Sequence, residues 1–279
     1  MSRSMTRPIA RSVARSGGVL DPSRDDAGEM FIGWADAPAA DRRFLLGALP
    51  LGLLGAGGLG WLLAAELDDP GAGAWLTNAT HKVTGVLATA PYPMIRMADP
   101  SAPFGMRTVL VVATGKCTSA LEFSGAAGTP VTASGVLIQR KERRMLEVPP
   151  LLEQWLAPAS AAAPTDATLA APAVERIGRR RLSGAIMDSK CFFGVMRPAR
   201  GKTHKACASL CIRGGIPPSF WARTRDGRES VLLMTDANGG PMPMDILPLV
   251  ADPVEAEGEI VRVGDLLQFR ADADAYRRV

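Results

Sequence analysis

Histidine is almost missing from this chain: its 279 residues include two, His81 and His204. Aromatic residues are also scarce, at 5%. Proteins that bind single-stranded nucleic acids usually stack the bases on aromatic platforms, so nucleic acid is not an expected partner. The sequence has no nucleophile elbow, P-loop, dinucleotide fingerprint or paired-carboxylate motif. It also lacks the Cys-x-x-Cys of thioredoxin-like chemistry and the Cys-x-x-Cys-His of haem attachment. These absences favour a binding or structural module over an enzyme. With 22% charged residues and a net charge of +4, the chain is not of disordered type, and its charge alone selects no partner.

One apolar run is long. Between Phe44 and Ala65 there is no charged residue. As a helix rising about 1.5 Å per residue, it just spans a hydrocarbon core of about 30 Å. Arg42 and Arg43 precede it, while Glu66, Asp68 and Asp69 come after it. Basic residues favour the cytoplasmic side. The expectation is therefore a bacterial inner-membrane protein with a cytoplasmic tail (residues 1–43), a transmembrane helix (44–65) and a periplasmic remainder. In the tail, Arg3, Arg7, Arg11 and Arg15 recur every four residues. They suit either a disordered tail or a basic stripe against anionic lipid. A second reading stays open for the apolar run: Arg42-Arg43-Phe44-Leu45-Leu46 resembles a twin-arginine export signal, with Ala72-Gly73-Ala74 as a small-residue cleavage site. Both readings carry the C-terminal three-quarters of the chain out of the cytoplasm.

Beyond the membrane, two stretches share an order of strand-like segments. His81–Ala88, Pro93–Ala98, Thr108–Ala113, Val131–Ile138 and Arg144–Val148 are rich in residues that suit a pleated, half-buried surface. A short helix is expected at Thr118–Phe123. Leu182–Met187, Ser230–Thr235, Val254–Val261 and Leu266–Arg270 answer the first, third, fourth and fifth of these segments. Phe220 and Trp221 begin the missing one. Gly85, Gly135, Gly184 and Gly258 fall mid-strand, where glycine suits sharp bends.

Five strands with a helix between the third and fourth is the OB-fold order. The expected fold class is mainly β: an N-terminal transmembrane helix followed by two small OB-like five-stranded β-barrels, an internal repeat. The first occupies 78–150 and the second 179–279. Between them, 151–178 is an Ala/Pro-rich linker that should act as a spacer. Gly85 and Gly135 lie 50 residues apart, whereas Gly184 and Gly258 lie 74 apart. The surplus falls between the first two strands of the second barrel, as an insertion at 189–218.

That insertion holds most of the reactive chemistry. Cys191, His204, Cys207 and Cys211 lie within it, and Lys205–Ile212 can form two helical turns ended by Gly214 and Gly215. On such a helix His204, Cys207 and Cys211 share one face. Lys190, Arg197, Arg200, Lys202, Lys205 and Arg213 supply positive charge without an acid between Ser189 and Arg213, a field that lowers thiol pKa values. Three chemistries remain open. Cys191 can form a disulfide with Cys207 or Cys211 in an oxidising compartment, leaving one thiol for Cys117 or unpaired. Alternatively, Cys191, His204, Cys207 and Cys211 can bind a metal, for which zinc(II) or copper(I) is the softness match. The third chemistry is thiol redox exchange or covalent attachment. Asp188, Lys190 and Lys205 are the candidates to support this set from behind. Met187 and Met196 would extend a copper site. His81 reads as structural, and Cys117 has no ligand-type neighbour in sequence.

The segment from Gly184 to Pro217 resembles a group of bacterial envelope proteins with a small β-barrel. They carry Gly-x-[Ile/Val]-x-Asp-x-x-Cys, then His-x-x-Cys-Ala-x-x-Cys, then Gly-Gly-[Ile/Val]-Pro. The matching positions are Gly184, Asp188, Cys191, His204, Cys207, Ala208, Cys211, Gly214, Gly215, Ile216 and Pro217. The resemblance covers residues 182–279 and implies no catalytic assignment. The whole sequence supports two functional expectations. One is a non-enzymatic accessory or assembly subunit of a membrane complex, such as a respiratory one, with a protein partner in the membrane or periplasm. The other is a periplasmic copper- or zinc-handling, or thiol-redox, protein that works through the insertion.

Overall fold

Alternating apolar and polar residues dominate the chain after its apolar run, and strands form there. The computed structural model describes residues 39–66, 73–118, 127–149, 151, 154–160, 167–194, 196, 199–223 and 229–279. Two compact units divide it, Met1–Asp68 and Asp69–Val279. In the first unit, helix α1 (Ala39–Glu66) includes Pro50. Its stretch Asp41–Ala65, 25 residues, is long and apolar enough to cross a membrane. Most of the expected basic tail lies outside the described residues, as does all of the expected helix beyond Thr118.

The second unit is mainly β. Strands β1 (Gly73–Ala88), β2 (Met94–Ala98), β3 (Met106–Ala113), β4 (Pro130–Arg140), β5 (Arg143–Val148) and β6 (Leu156–Pro158) come first. A short helix α2 (Ala167–Ala170) leads to β7 (Val174–Asp188). Helices α3 (Ser189–Phe193) and α4 (Lys205–Arg213) precede β8 (Pro218–Arg223), β9 (Glu229–Thr235), β10 (Pro253–Val263), β11 (Leu266–Arg270) and β12 (Tyr276–Arg278).

The strands form two six-stranded sheets. The first runs β1-β2-β3-β5-β4-β6, with β1 also paired to β4. The second runs β11-β9-β8-β7-β10-β12, with β11 also paired to β10. Five strands of each sheet thus make a ring of pairings in the same order. In both rings the third and fifth strands are parallel and every other pair is antiparallel. Gly85, Gly135, Gly184 and Gly258 occupy corresponding places. A Cβ at each would strike a neighbouring strand's backbone, at the carbonyls of Arg96, Glu147, Trp221 and Arg270. These glycines let strands approach closely.

Each sheet has its own core. Leu87, Ile95, Val109, Val111, Leu146 and Trp155 fill the first, and Ile186, Phe220, Leu232, Met234, Phe269 and Tyr276 the second. A further core belongs to both. Met94, Leu110, Val112 and Met145 of the first sheet pack with Met187, Leu233 and Leu266 of the second and with Phe193 of α3. Strand β3 shows why: its residues are buried on both faces, with Val109 and Val111 inward and the alternate Leu110 and Val112 in the shared core. Both sheets accordingly fall within one compact unit.

Boundaries differ from expectation in places. Strand β1 starts at Gly73, ahead of 78, and its register shifts between Leu76 and His81. The Ala/Pro-rich stretch is not bare spacer throughout. Within it β6 pairs with β4, and buried Leu169 packs with Val86 and Met106. A few apolar side chains in a tract of small residues suffice to dock it.

Candidate functional site

The insertion starts where β7 runs out. Asp188 ends the strand in an extended conformation, and its Oδ1 accepts the backbone N–H of Cys191 at 2.8 Å. That cap starts α3, satisfying one of the donors a helix leaves open. Ser189 Oγ donates to Pro217 O at 2.7 Å and also meets Ser219 Oγ at 2.7 Å. The two ends of the insertion are thus tied together at its base.

Helix α4 ends for an equally local reason. Gly215 takes a left-handed backbone (φ +93°). Its N–H bonds Ile212 O, while the Ile216 N–H bonds Cys211 O at 3.0 Å. This paired reversal closes the last carbonyls of a helix and favours glycine at the left-handed position. It also fixes the backbone of Cys211. A Cβ at Gly214 would collide with the Lys116 carbonyl, and Thr118 N bonds Gly214 O at 2.6 Å. The loop after β3 therefore lies directly on the end of α4.

The expected residues converge in two overlapping groups. The ligand atoms of Cys191, Cys207 and Cys211 lie within 4.8 Å of one another, and so do those of Asp188, Cys191 and His204. Cys191 belongs to both groups. His204 stands at the N-cap of α4, where its Nε2 donates to Asp188 Oδ2 at 3.1 Å. It therefore sits beside Cys191, and it does not share one cluster with all three sulfurs. Asp188, His204, Cys191 and Cys211 are buried, and Cys207 is half-buried. No two cysteines are joined by a disulfide. The sulfurs of Cys191 and Cys211 are 4.0 Å apart.

Two of the expected supporting residues point elsewhere. Lys190, 2% exposed, sends Nζ into the first sheet, donating to Ala113 O, Gly115 O and Glu147 Oε1 at 2.6–2.9 Å. Glu147 also accepts from Trp75 Nε1. Lys205 donates to Asp252 and to Pro248 O. Both lysines anchor the insertion's flanks, because each finds a better acceptor than a sulfur. Met187 lies in the same core as Cys191 and Cys211, whereas Met196 is exposed. His81 is in β1 and Trp221 in β8.

Among the described residues, a cation that faces the sulfurs is Lys116, which the sequence did not point out. It comes from the loop after β3, and its Nζ lies 2.6 Å from Cys207 Sγ and 3.7 Å from Cys211 Sγ. Nothing within the insertion signals it, since it stands 91 residues before Cys207. The neighbouring Cys117 gave the only hint, as a cysteine without ligand-type neighbours in sequence. These contacts set the electrostatics. A hydrogen bond from the Cys191 thiol, reinforced by the Lys116 charge, lowers the Cys211 pKa. Donation to Cys211, burial and the Asp188 charge raise that of Cys191. Cys207 in turn raises the Lys116 pKa. The site thus couples a Cys211 thiol of lowered pKa to a Cys191 thiol of raised pKa, with the Lys116 side chain at its mouth.

No family model, curated protein or solved structure matches this chain.

Proposed function

We propose that this chain is a membrane-tethered protein of the bacterial envelope that handles a soft metal ion, copper(I) or zinc(II), on Cys191, Cys207 and Cys211. In this reading α1 anchors it in the inner membrane and residues beyond the helix are periplasmic. Each ring of strands is an OB-like barrel, the second repeating the first with the insertion added between its first two strands. The shared pairing order and the four corresponding glycines support the repeat. Arg42 and Arg43 ahead of the apolar run, and Glu66, Asp68 and Asp69 after it, support the orientation.

One observation carries the metal reading. Two thiolates on one tetrahedral zinc, each about 2.3 Å from the ion, stand about 3.8 Å apart. A disulfide needs about 2.05 Å. Cys191 and Cys211, at 4.0 Å, have the spacing of ligands. Soft thiolates select copper(I) or zinc(II) over hard cations. His204, held by Asp188, orders the wall beside Cys191, much as hydrogen-bonded neighbours orient ligands in metal sites.

The test is metal content of the full chain, purified in mild detergent with its thiols reduced. After loading with copper(I) or zinc(II) and desalting without oxygen, one ion should remain per chain. Cys191→Ser, Cys207→Ser and Cys211→Ser should each release most of it. Failure of the reduced wild type to retain either ion would sink this reading. The alternative would then stand: a non-enzymatic accessory or assembly subunit whose insertion contacts a protein partner. A phosphatase reporter at the C-terminus should be active only if that end is periplasmic.

A further inference from the structure

The distance between Lys116 Nζ and Cys207 Sγ does not suit a hydrogen bond. Charged N–H···O bonds settle at about 2.7–2.9 Å, and sulfur is a larger atom than oxygen. At 2.6 Å the nitrogen and sulfur are too close for donor and acceptor, yet too far apart for a direct N–S bond. The gap matches two single bonds meeting at one small atom. Lys116 is exposed, Cys207 is half-buried, and Cys191 and Cys211 are buried behind them. An oxidant diffusing in therefore reaches the Lys116–Cys207 pair before the other two thiols. Access to the oxidant is one of the factors that decide which cysteine is oxidised.

We propose that Lys116 and Cys207 form an oxidative crosslink in which one oxygen atom bridges the lysine nitrogen and the cysteine sulfur. Molecular oxygen is the oxidant. The lysine amine, the cysteine thiol and one O2 give the N–O–S bridge and one water. The nitrogen keeps one hydrogen, and its other hydrogen leaves with that of the thiol in the water. Nitrogen and sulfur give up two electrons each, and the four reduce both oxygen atoms. One of these stays in the bridge, and the other departs. An N–O bond and an O–S bond form as the O–O bond breaks. Two equivalents of a dithiol reverse the reaction, returning amine, thiol and water. The crosslink rests on the geometry of this pair alone. Its consequence rests on the metal reading: a bridged Cys207 is withdrawn from the three sulfurs, so oxidation closes the metal site from the side of the first sheet.

The experiment is peptide mapping of the full chain in detergent, equilibrated with air and digested with trypsin without reductant. The expected product joins a peptide uncut at Lys116 to the peptide carrying Cys207. Its mass should be the sum of the two peptides plus one oxygen and minus two hydrogens. It should be missing in Lys116→Arg and Cys207→Ser and should revert with excess dithiothreitol. Separate peptides, with Lys116 cleavable and Cys207 open to alkylation, would overturn the proposal. So would a linked mass without the oxygen, or Cys207 found in a disulfide. Metal retention by reduced and air-treated protein reads the consequence. If the reduced chain holds no ion while the bridged peptide is found, the metal reading fails and the crosslink survives.

Discussion

Lys190 is the residue on which the seating of the insertion turns. Its ammonium lies between two backbone carbonyls and Glu147, with almost no access to water. Removing one partner of a buried ion pair leaves the other charge uncompensated and costs about 3–5 kcal/mol. Lys190→Met keeps the volume of the stem and removes the charge. It should destabilise the full chain by that amount in denaturant titration, and a loss below about 1 kcal/mol would mean that Glu147 remains solvated. Asp99 tests the opposite situation, a charge at the surface. Ser101 and then Arg107 hold its carboxyl at about 2, below the ordinary 3.8. A carboxyl with a depressed folded pKa stabilises the fold above its unfolded pKa and loses that contribution as pH falls through the folded value. Thermal midpoints should therefore drop between about pH 4 and pH 2 in the wild type. Asp99→Asn should flatten that part of the profile, and an unchanged profile would refute the assignment.

At the scale of elements, the mid-strand glycines make the strongest prediction. In Gly184→Ala the new methyl would run into the Trp221 carbonyl of β8, a backbone atom that cannot rotate away. Forcing atoms into a filled space costs about 1–3 kcal/mol, sometimes more. Gly58→Ala, in α1 with open space around it, should leave the melting of the sheets unchanged. Equal midpoints for the two variants would show that close strand approach does not matter here. These glycines were legible in the sequence because residues that suit a pleated surface flank them, and the same residue types marked nine of the strands, with Phe220 and Trp221 marking the start of a tenth. Strands β6 and β12, each three residues long, were not: short edge strands carry no periodicity. The start of β1 was missed because Thr77-Asn78-Ala79-Thr80 reads as a turn. The insertion's placement and its cysteines were legible through spacing. Its electrostatics were not, since Lys116 arrives from another sheet, and Lys190 and Lys205 turn to acceptors that proximity in sequence cannot reveal.

At the scale of the molecule, the question is whether the two sheets act as one body. Polar contacts supplement the shared core. Thr108 bonds Asp265 through both its backbone N–H and its hydroxyl, and Arg143 donates to Val231 O. Tyr92, buried between β1 and β2, does most to sew the sheets together. Its hydroxyl donates to Met234 O at 2.8 Å and accepts the Met242 N–H at 2.9 Å. Tyr92→Phe keeps the ring and strands that buried N–H, a loss of about 1–3 kcal/mol. If the sheets are thermodynamically one unit, the full chain should melt its β structure in a single calorimetric transition, and Tyr92→Phe should lower that transition as a whole. Two separated transitions, with only one displaced by the substitution, would show instead that the sheets unfold independently. Lys116 could then leave Cys207 without unfolding the insertion. The coupling therefore decides whether a loop of the first sheet holds a fixed position against sulfurs supplied by the second.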